Sequence, residues 1–228
     1  MSPSRGQVVS LSLALLFLAG SVGFAVGSRS SAPTRGSTVE VGFLTDMIAH
    51  HEQAVSMSKI VLPVEAGLPG GVASFALEVV SDQRYEIGVM EALLERWGQA
   101  PDDADDLAMG WMGSAVEESA MPGLASEAEL DRLSSARGDE AAALWLALMT
   151  AHHHGGVHMA EAAADRVDDP FVRALAVRMA RVQAVEIHEY EAARTRLGLA
   201  VPEGLTTVPT GGRHAGSGSG PGAGHHGG

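Results

Sequence analysis

An internal repeat constrains this chain more than any other feature. One segment reads Met47-Ile48-Ala49-His50-His51 and then Ala54-Val55-Ser56-Met57. A second reads Met149-Thr150-Ala151-His152-His153 and then Gly156-Val157-His158-Met159. Four chemically distinctive side chains thus recur in register. The segments that follow each copy repeat as well: Gln83, Glu86-Ile87 and Glu91 precede Gly98, and Gln183, Glu186-Ile187 and Glu191 precede Gly198. Two histidine pairs flanked by methionines at equal spacing are a remote coincidence, so the chain reads as a duplicated hairpin.

Local signals make that hairpin helical. Ser37 with Glu40 three residues later has the capping-box pattern, and the helical pattern after it runs to Pro63, which predicts a first helix over Thr38 to Leu62. Pro69-Gly70-Gly71 makes a turn before a second helix, about Val72 to Trp97, that stops at Gly98. The acidic stretch from Gln99 to Gly138 is punctuated by proline and glycine, with Ser126 and Glu129 positioned to cap a short helix inside it. Asp139 opens a third long helix reaching Val167, and Asp169-Pro170 supplies an N-cap and N1 proline for a fourth that ends at Gly198. The expected fold is all-α: a four-helix, ferritin-like bundle made from a duplicated helical hairpin with one long crossover. It occupies 38–200, with hairpins 38–98 and 139–198 and crossover 99–138. Residues 1–37 form an export or anchoring segment with its linker, and 201–228 a Gly/His-rich tail read as disordered.

Helical periodicity then places the ligand-type side chains. At about 100° per residue, Phe43, Met47, His50, His51, Ala54, Met57 and Val61 share one face, opposite Thr45, Glu52, Ser56 and Lys59. Met149, His152, His153, Gly156 and Met159 repeat the arrangement. Gly155 and Gly156 each cost about 1 kcal/mol against alanine inside a helix, which suggests a close approach of another backbone or a ligand. On the partner helices Gln83 and Glu86, and likewise Gln183 and Glu186, join the apolar stripe. An inward carboxylate needs a partner, and a glutamate accepting from one imidazole nitrogen fixes the tautomer that leaves the other nitrogen free.

Composition narrows the chemistry. The chain has no cysteine, which removes disulfides, thiolate metal sites and cysteine nucleophiles; soft-metal chemistry must come from thioethers and imidazoles. A net charge of -13 with 15 basic residues and no basic stripe argues against nucleic acid as a partner. Arg5 precedes an apolar block from Leu11 to Ala19, with weaker apolar character to Val26, followed by polar residues from Ser28 to Ser37. That pattern is an export signal cleaved near Gly23-Phe24-Ala25 or, uncleaved, an anchor that brings the membrane in as a partner. Either way the bundle is extracytoplasmic.

From Phe43 to Gly198 the chain resembles the bacterial family called domain of unknown function 305. The resemblance rests on Asp46-Met47-Ile48-Ala49-His50-His51-Glu52-Gln53-Ala54 and on Leu148-Met149-Thr150-Ala151-His152-His153-His154-Gly155-Gly156. Met121-Pro122-Gly123-Leu124 with Glu129-Leu130 is similar to the family's linker signature, and Gln83 with Glu86 to its second helix. Leu124 stands where a methionine is common, and the usual Phe-Asp pair before the third helix is absent. The resemblance implies a ferritin-like bundle, usually exported, with some members associated with copper or silver outside the cytoplasm.

Three function classes follow. The first is a non-enzymatic metal-binding protein that holds Cu(I), Cu(II) or silver through His50, His51, His152 and His153, with Met47, Met57, Met149 and Met159 as thioether donors. Glu86, Glu186, Gln83 and Gln183 support those ligands from behind; iron and zinc suit the donor set less well. The second is a di-iron oxidoreductase of the same architecture, which needs a Glu-x-x-His on each of two helices that this chain lacks. The third is a structural or interaction bundle whose core histidines are satisfied or pH-responsive. His154, His158 and His188 are weaker metal candidates, read first as solvated surface residues. Met109, Met112 and Met121 in the crossover read first as cover for a groove.

Overall fold

The computed structural model describes residues 36–63, 66–99 and 107–206. The apolar N-terminal segment and the histidines of the tail, His214, His225 and His226, lie outside the described residues. Four long helices dominate: α1 (Thr38–Val61), α2 (Val72–Arg96), and, after a crossover, α4 (Gly138–Arg166) and α5 (Pro170–Arg196). The crossover carries a two-residue antiparallel pair, β1 (Leu107–Ala108) with β2 (Val116–Glu117), and a short helix α3 (Glu127–Ser135). The protein is an all-α bundle. Among the described residues, no helix is long and apolar enough to cross a membrane.

The helix ends follow from their residues. Ser126 and Glu129 form a reciprocal capping box at α3, and Asp169 accepts from Phe171 N and Val172 N ahead of Pro170 at α5. At α1 the capping is shared differently from the expected box. Ser37 Oγ accepts from Val39 N at 3.3 Å and donates to the Glu40 carboxylate. Glu40 meanwhile accepts from Asp168 N at 2.6 Å and Asp169 N at 3.0 Å. Its carboxylate therefore ties the start of α1 to the turn between α4 and α5.

Each hairpin packs α1 on α2 and α4 on α5, and α1 packs on α4 between them. Three contacts fix how α1 and α4 cross: Glu40 meets residues 168 and 169, the His50 carbonyl meets His152, and Ser58 Oγ accepts from Trp145 Nε1 at 3.3 Å. Residue numbers rise on one helix as they fall on the other, so the two helices run antiparallel. His50 and His152 lie at the crossing. Apolar clusters fill the bundle above and below it, one around Phe43, Met47, Ile87, Met159 and Met179, the other around Met57, Trp145, Met149 and Tyr190.

The crossover is pinned along α1. Asp46 accepts from Met109 N and Trp111 Nε1, both at 2.7 Å. Gln53 closes a two-bond ring with Ala125, donating to its carbonyl at 2.9 Å and accepting from its N–H at 2.7 Å. Between these anchors Gly123 adopts φ 86, and a Cβ there would lie 2.6 Å from the Ala151 carbonyl oxygen. Only glycine satisfies both the backbone angle and the contact. The chain also stays on the bundle after α5: Leu205 is buried, Thr206 N donates to Glu129 at 2.7 Å and Arg132 donates to the Glu203 carbonyl at 2.8 Å. Residues 201–206 thus pack with α3 rather than belonging to a free tail.

Candidate metal centre

All four histidines of the repeat are fully buried. At the α1–α4 crossing the His50 and His152 rings stack with centroids 3.8 Å apart, tilted 37°. The repeat explains why: two copies of one motif, arranged antiparallel, bring equivalent positions together at the crossing. His153 lies beside His152, centroids 6.0 Å apart, and packs on Tyr190 at 5.4 Å.

Each ring uses one nitrogen on a protein acceptor. His50 Nε2 faces the Pro122 carbonyl at 3.1 Å and His152 Nε2 the His50 carbonyl at 2.9 Å. His51 Nε2 faces Glu86 Oε2 and His153 Nε2 faces Glu186 Oε2, both at 2.8 Å. Carbonyl and carboxylate oxygens only accept, so in every case Nε2 carries the proton. For neutral rings that leaves a bare lone pair on Nδ1. Burial, reinforced by the neighbouring His51, lowers His50 to about 3. Burial and the adjacent His50 take His152 well below the ordinary histidine range. Both rings at the crossing are therefore neutral at pH 7.

The lone pairs go unanswered. Among the described residues, the buried side-chain atoms with no hydrogen-bond partner are Nδ1 of His50, His51, His152 and His153 and Oε1 of Gln83 and Gln183. The two glutamine oxygens are acceptors, as is Nδ1 of each ring in its neutral form. An orphaned buried acceptor costs about 1–3 kcal/mol and calls for an explanation. A bound cation would supply one, because it takes lone pairs without bringing protons. Imidazole nitrogens and thioethers are the donor types that soft cations take, but among the described residues no three His, Asp or Glu side chains are grouped so as to hold a metal ion.

The methionines divide between the two ends of the histidine layer. Met47 and Met159 are buried in the first cluster together with Met90, Met109, Met121 and Met179, and Met112 packs against it partly exposed. Met57 and Met149 are buried in the second. Met47 and Met149, equivalent in the repeat, thus sit in different clusters because the helices are antiparallel. The crossover methionines Met109 and Met121 join the core rather than the surface. His154, His158 and His188 are exposed.

Gly155 and Gly156 mark two close approaches. A Cβ on Gly155 would lie 1.8 Å from the Pro122 carbonyl oxygen, and one on Gly156 would lie 2.2 Å from Gln183 Oε1. The first lets the crossover reach His50, and the second lets Gln183 enter the layer. Residues that sequence patterning did not single out also shape the site. Arg178 donates to Glu86 Oε1 at 2.9 Å, behind His51. Tyr190 backs His153, its hydroxyl pushed up by burial and then by Glu186, Glu78, Glu189 and Asp82. Asp46, raised by burial against its bonds to Met109 and Trp111, anchors the crossover one residue before Met47.

Comparison with known proteins places this arrangement. The sequence profile described as "Domain of unknown function (DUF305)" matches residues 40–194. A crystal structure described as a candidate secreted DUF305 protein from Streptomyces coelicolor is 32% identical with a TM-score of 0.65, covering 72% of this chain and 96% of that one. A DUF305 fragment from Deinococcus radiodurans is 33% identical with a TM-score of 0.61, covering 71% and 98%. CopM in its Cu(I)-bound form shares the fold at 23% identity and a TM-score of 0.53, covering 69% and 96%. No curated protein matches the chain. With the profile spanning both histidine pairs and the crossover between them, the chain belongs to the DUF305 family.

Proposed function

We propose that this protein is an exported or membrane-anchored, non-enzymatic metal-binding protein that holds copper, as Cu(I) or Cu(II), or silver in the histidine layer between α1 and α4. The observation that carries the proposal is the set of four buried, unpartnered Nδ1 atoms whose rings are already oriented through Nε2. Imidazole suits copper in either oxidation state, and the thioethers of Met47, Met57, Met149 and Met159 favour the reduced form. Glu86 and Glu186 fix the tautomers of His51 and His153 and raise their basicity as ligands. CopM, solved in Cu(I)- and Cu(II)-bound forms, adds support from the same fold. The Streptomyces relative, described as a candidate secreted protein, supports an extracytoplasmic location.

The test is a copper titration of the purified protein under reducing and oxidising conditions. It is repeated on a quadruple alanine variant at His50, His51, His152 and His153, and on a gentler His50→Gln, His152→Gln variant whose helicity is checked. Binding in the native protein, with stoichiometry or affinity lost in both variants, supports the proposal. Unchanged binding in the variants removes it.

A second reading is favoured by the absence, among the described residues, of three converging His, Asp or Glu side chains. On that reading the layer is a polar seam that fixes how the hairpins pack. A thermal melt separates the two, because a ligand that binds only the folded state raises its stability and an inert ion does not.

A further inference from the structure

The repeat is symmetric in its histidines but not in what stands behind them. His51 donates to Glu86, and the other oxygen of Glu86 takes Arg178 at 2.9 Å. His153 donates to Glu186, which forms no other ion pair among the described residues. Position 78, the repeat equivalent of Arg178, is Glu78, and it adds negative charge near Tyr190 rather than cancelling it. At one end of the layer the carboxylate behind the imidazole is shared with a guanidinium, while at the other the carboxylate pairs, among the described residues, with the imidazole alone.

We infer that Arg178 is a positioning residue that makes the two half-sites inequivalent, so that a monovalent soft cation binds first at the His153–Glu186 end. This rests on the metal-binding reading above and extends it. A carboxylate shared with a guanidinium draws less on the imidazole N–H, so the Nδ1 lone pair of His51 is the poorer donor. The charge argument has the same sign. A cation reaching His153 meets a partly buried carboxylate that no guanidinium shares, whereas one reaching His51 meets a carboxylate already paired with Arg178. Arg178 acts through Glu86 and contacts no ligand atom; its side chain is half-exposed, so its removal leaves the core filled.

The test has a metal-free arm and a metal arm, both read by NMR of the histidine rings. Without metal, the Nε2 proton of His153 should resonate at lower field than that of His51, and Arg178→Gln should move the His51 proton toward it. With sub-stoichiometric Ag(I), His153 signals should respond before those of His51, and Arg178→Gln should raise affinity at His51 by up to about tenfold and merge the two steps. Equal proton shifts in the native protein, or an order of filling unchanged by Arg178→Gln, overturn the inference. Rings that respond in one concerted step in the native protein remove this inference alone. Ag(I) that perturbs no histidine ring removes the metal-binding reading and this inference with it.

Discussion

The rings of His50 and His152, 102 residues apart in sequence, lie 3.8 Å apart at the crossing of α1 and α4, and His152 Nε2 donates to the His50 carbonyl at 2.9 Å. The two halves therefore meet through their own repeated motif. Breaking this contact should loosen the hairpin–hairpin interface more than either hairpin.

The neutral state of these rings makes the metal-free protein acid-sensitive. A histidine whose folded pKa is depressed contributes stability that is full above its unfolded value near 6.5, and that stability falls as pH drops toward the folded value, about 3 for His50. His152 shifts in the same direction. Urea denaturation between pH 7 and pH 5, above the carboxylate range, should show stability falling by up to about 1.4 kcal/mol per pH unit for each of the two rings. A flat profile would mean the rings protonate in place.

Gly155→Ala should destabilise by about 1–3 kcal/mol or more, because its methyl group would meet the Pro122 carbonyl that accepts from His50. Gly88 on α2 is the contrast. A Cβ there meets nothing within 4 Å. Gly88→Ala should therefore stabilise by up to about 1 kcal/mol through helix propensity. Denaturant midpoints of the two variants check both signs.

Glu40→Ala should cost about 1–2 kcal/mol by stranding Asp168 N and Asp169 N at the turn into α5. The loss should register in amide exchange at that turn and at the start of α1. Protection unchanged at 168 and 169 would show that water replaces the carboxylate.

How much of this is legible in the sequence depends on how local each determinant is. Five of the eight ends of the long helices follow from Ser37, Pro63, Gly98, Asp169-Pro170 and Gly198, which act within a few residues of themselves, whereas α4 starts at Gly138, one residue before the Asp139 expected to open it, and its N-cap Arg137 makes no side-chain capping bond. The pairing of Glu86 with His51 and of Glu186 with His153 is also within reach, since helical period places each pair on facing stripes of one hairpin. What joins the hairpins is not. Asp46 reaches 63 residues to Met109, Gln53 reaches 72 to Ala125, and Arg178 reaches 92 back to Glu86. Nothing in their local pattern distinguishes these residues from solvated ones. The separation of Met47 from Met149 likewise depends on the antiparallel crossing, which the repeat alone does not dictate.

Metal binding at the four bare Nδ1 atoms is tested most directly by thermal unfolding with copper, silver, zinc and iron side by side. Cu(I) or Ag(I) at about 100 times its Kd should add about 2.7 kcal/mol and raise the Tm by roughly 5–10 °C, with smaller effects from zinc and iron and a reduced rise in the His50→Gln, His152→Gln variant, which keeps only His51 and His153 of the layer. A Tm that responds to pH but to none of the four metals, or one that rises equally in the variant, would contradict it.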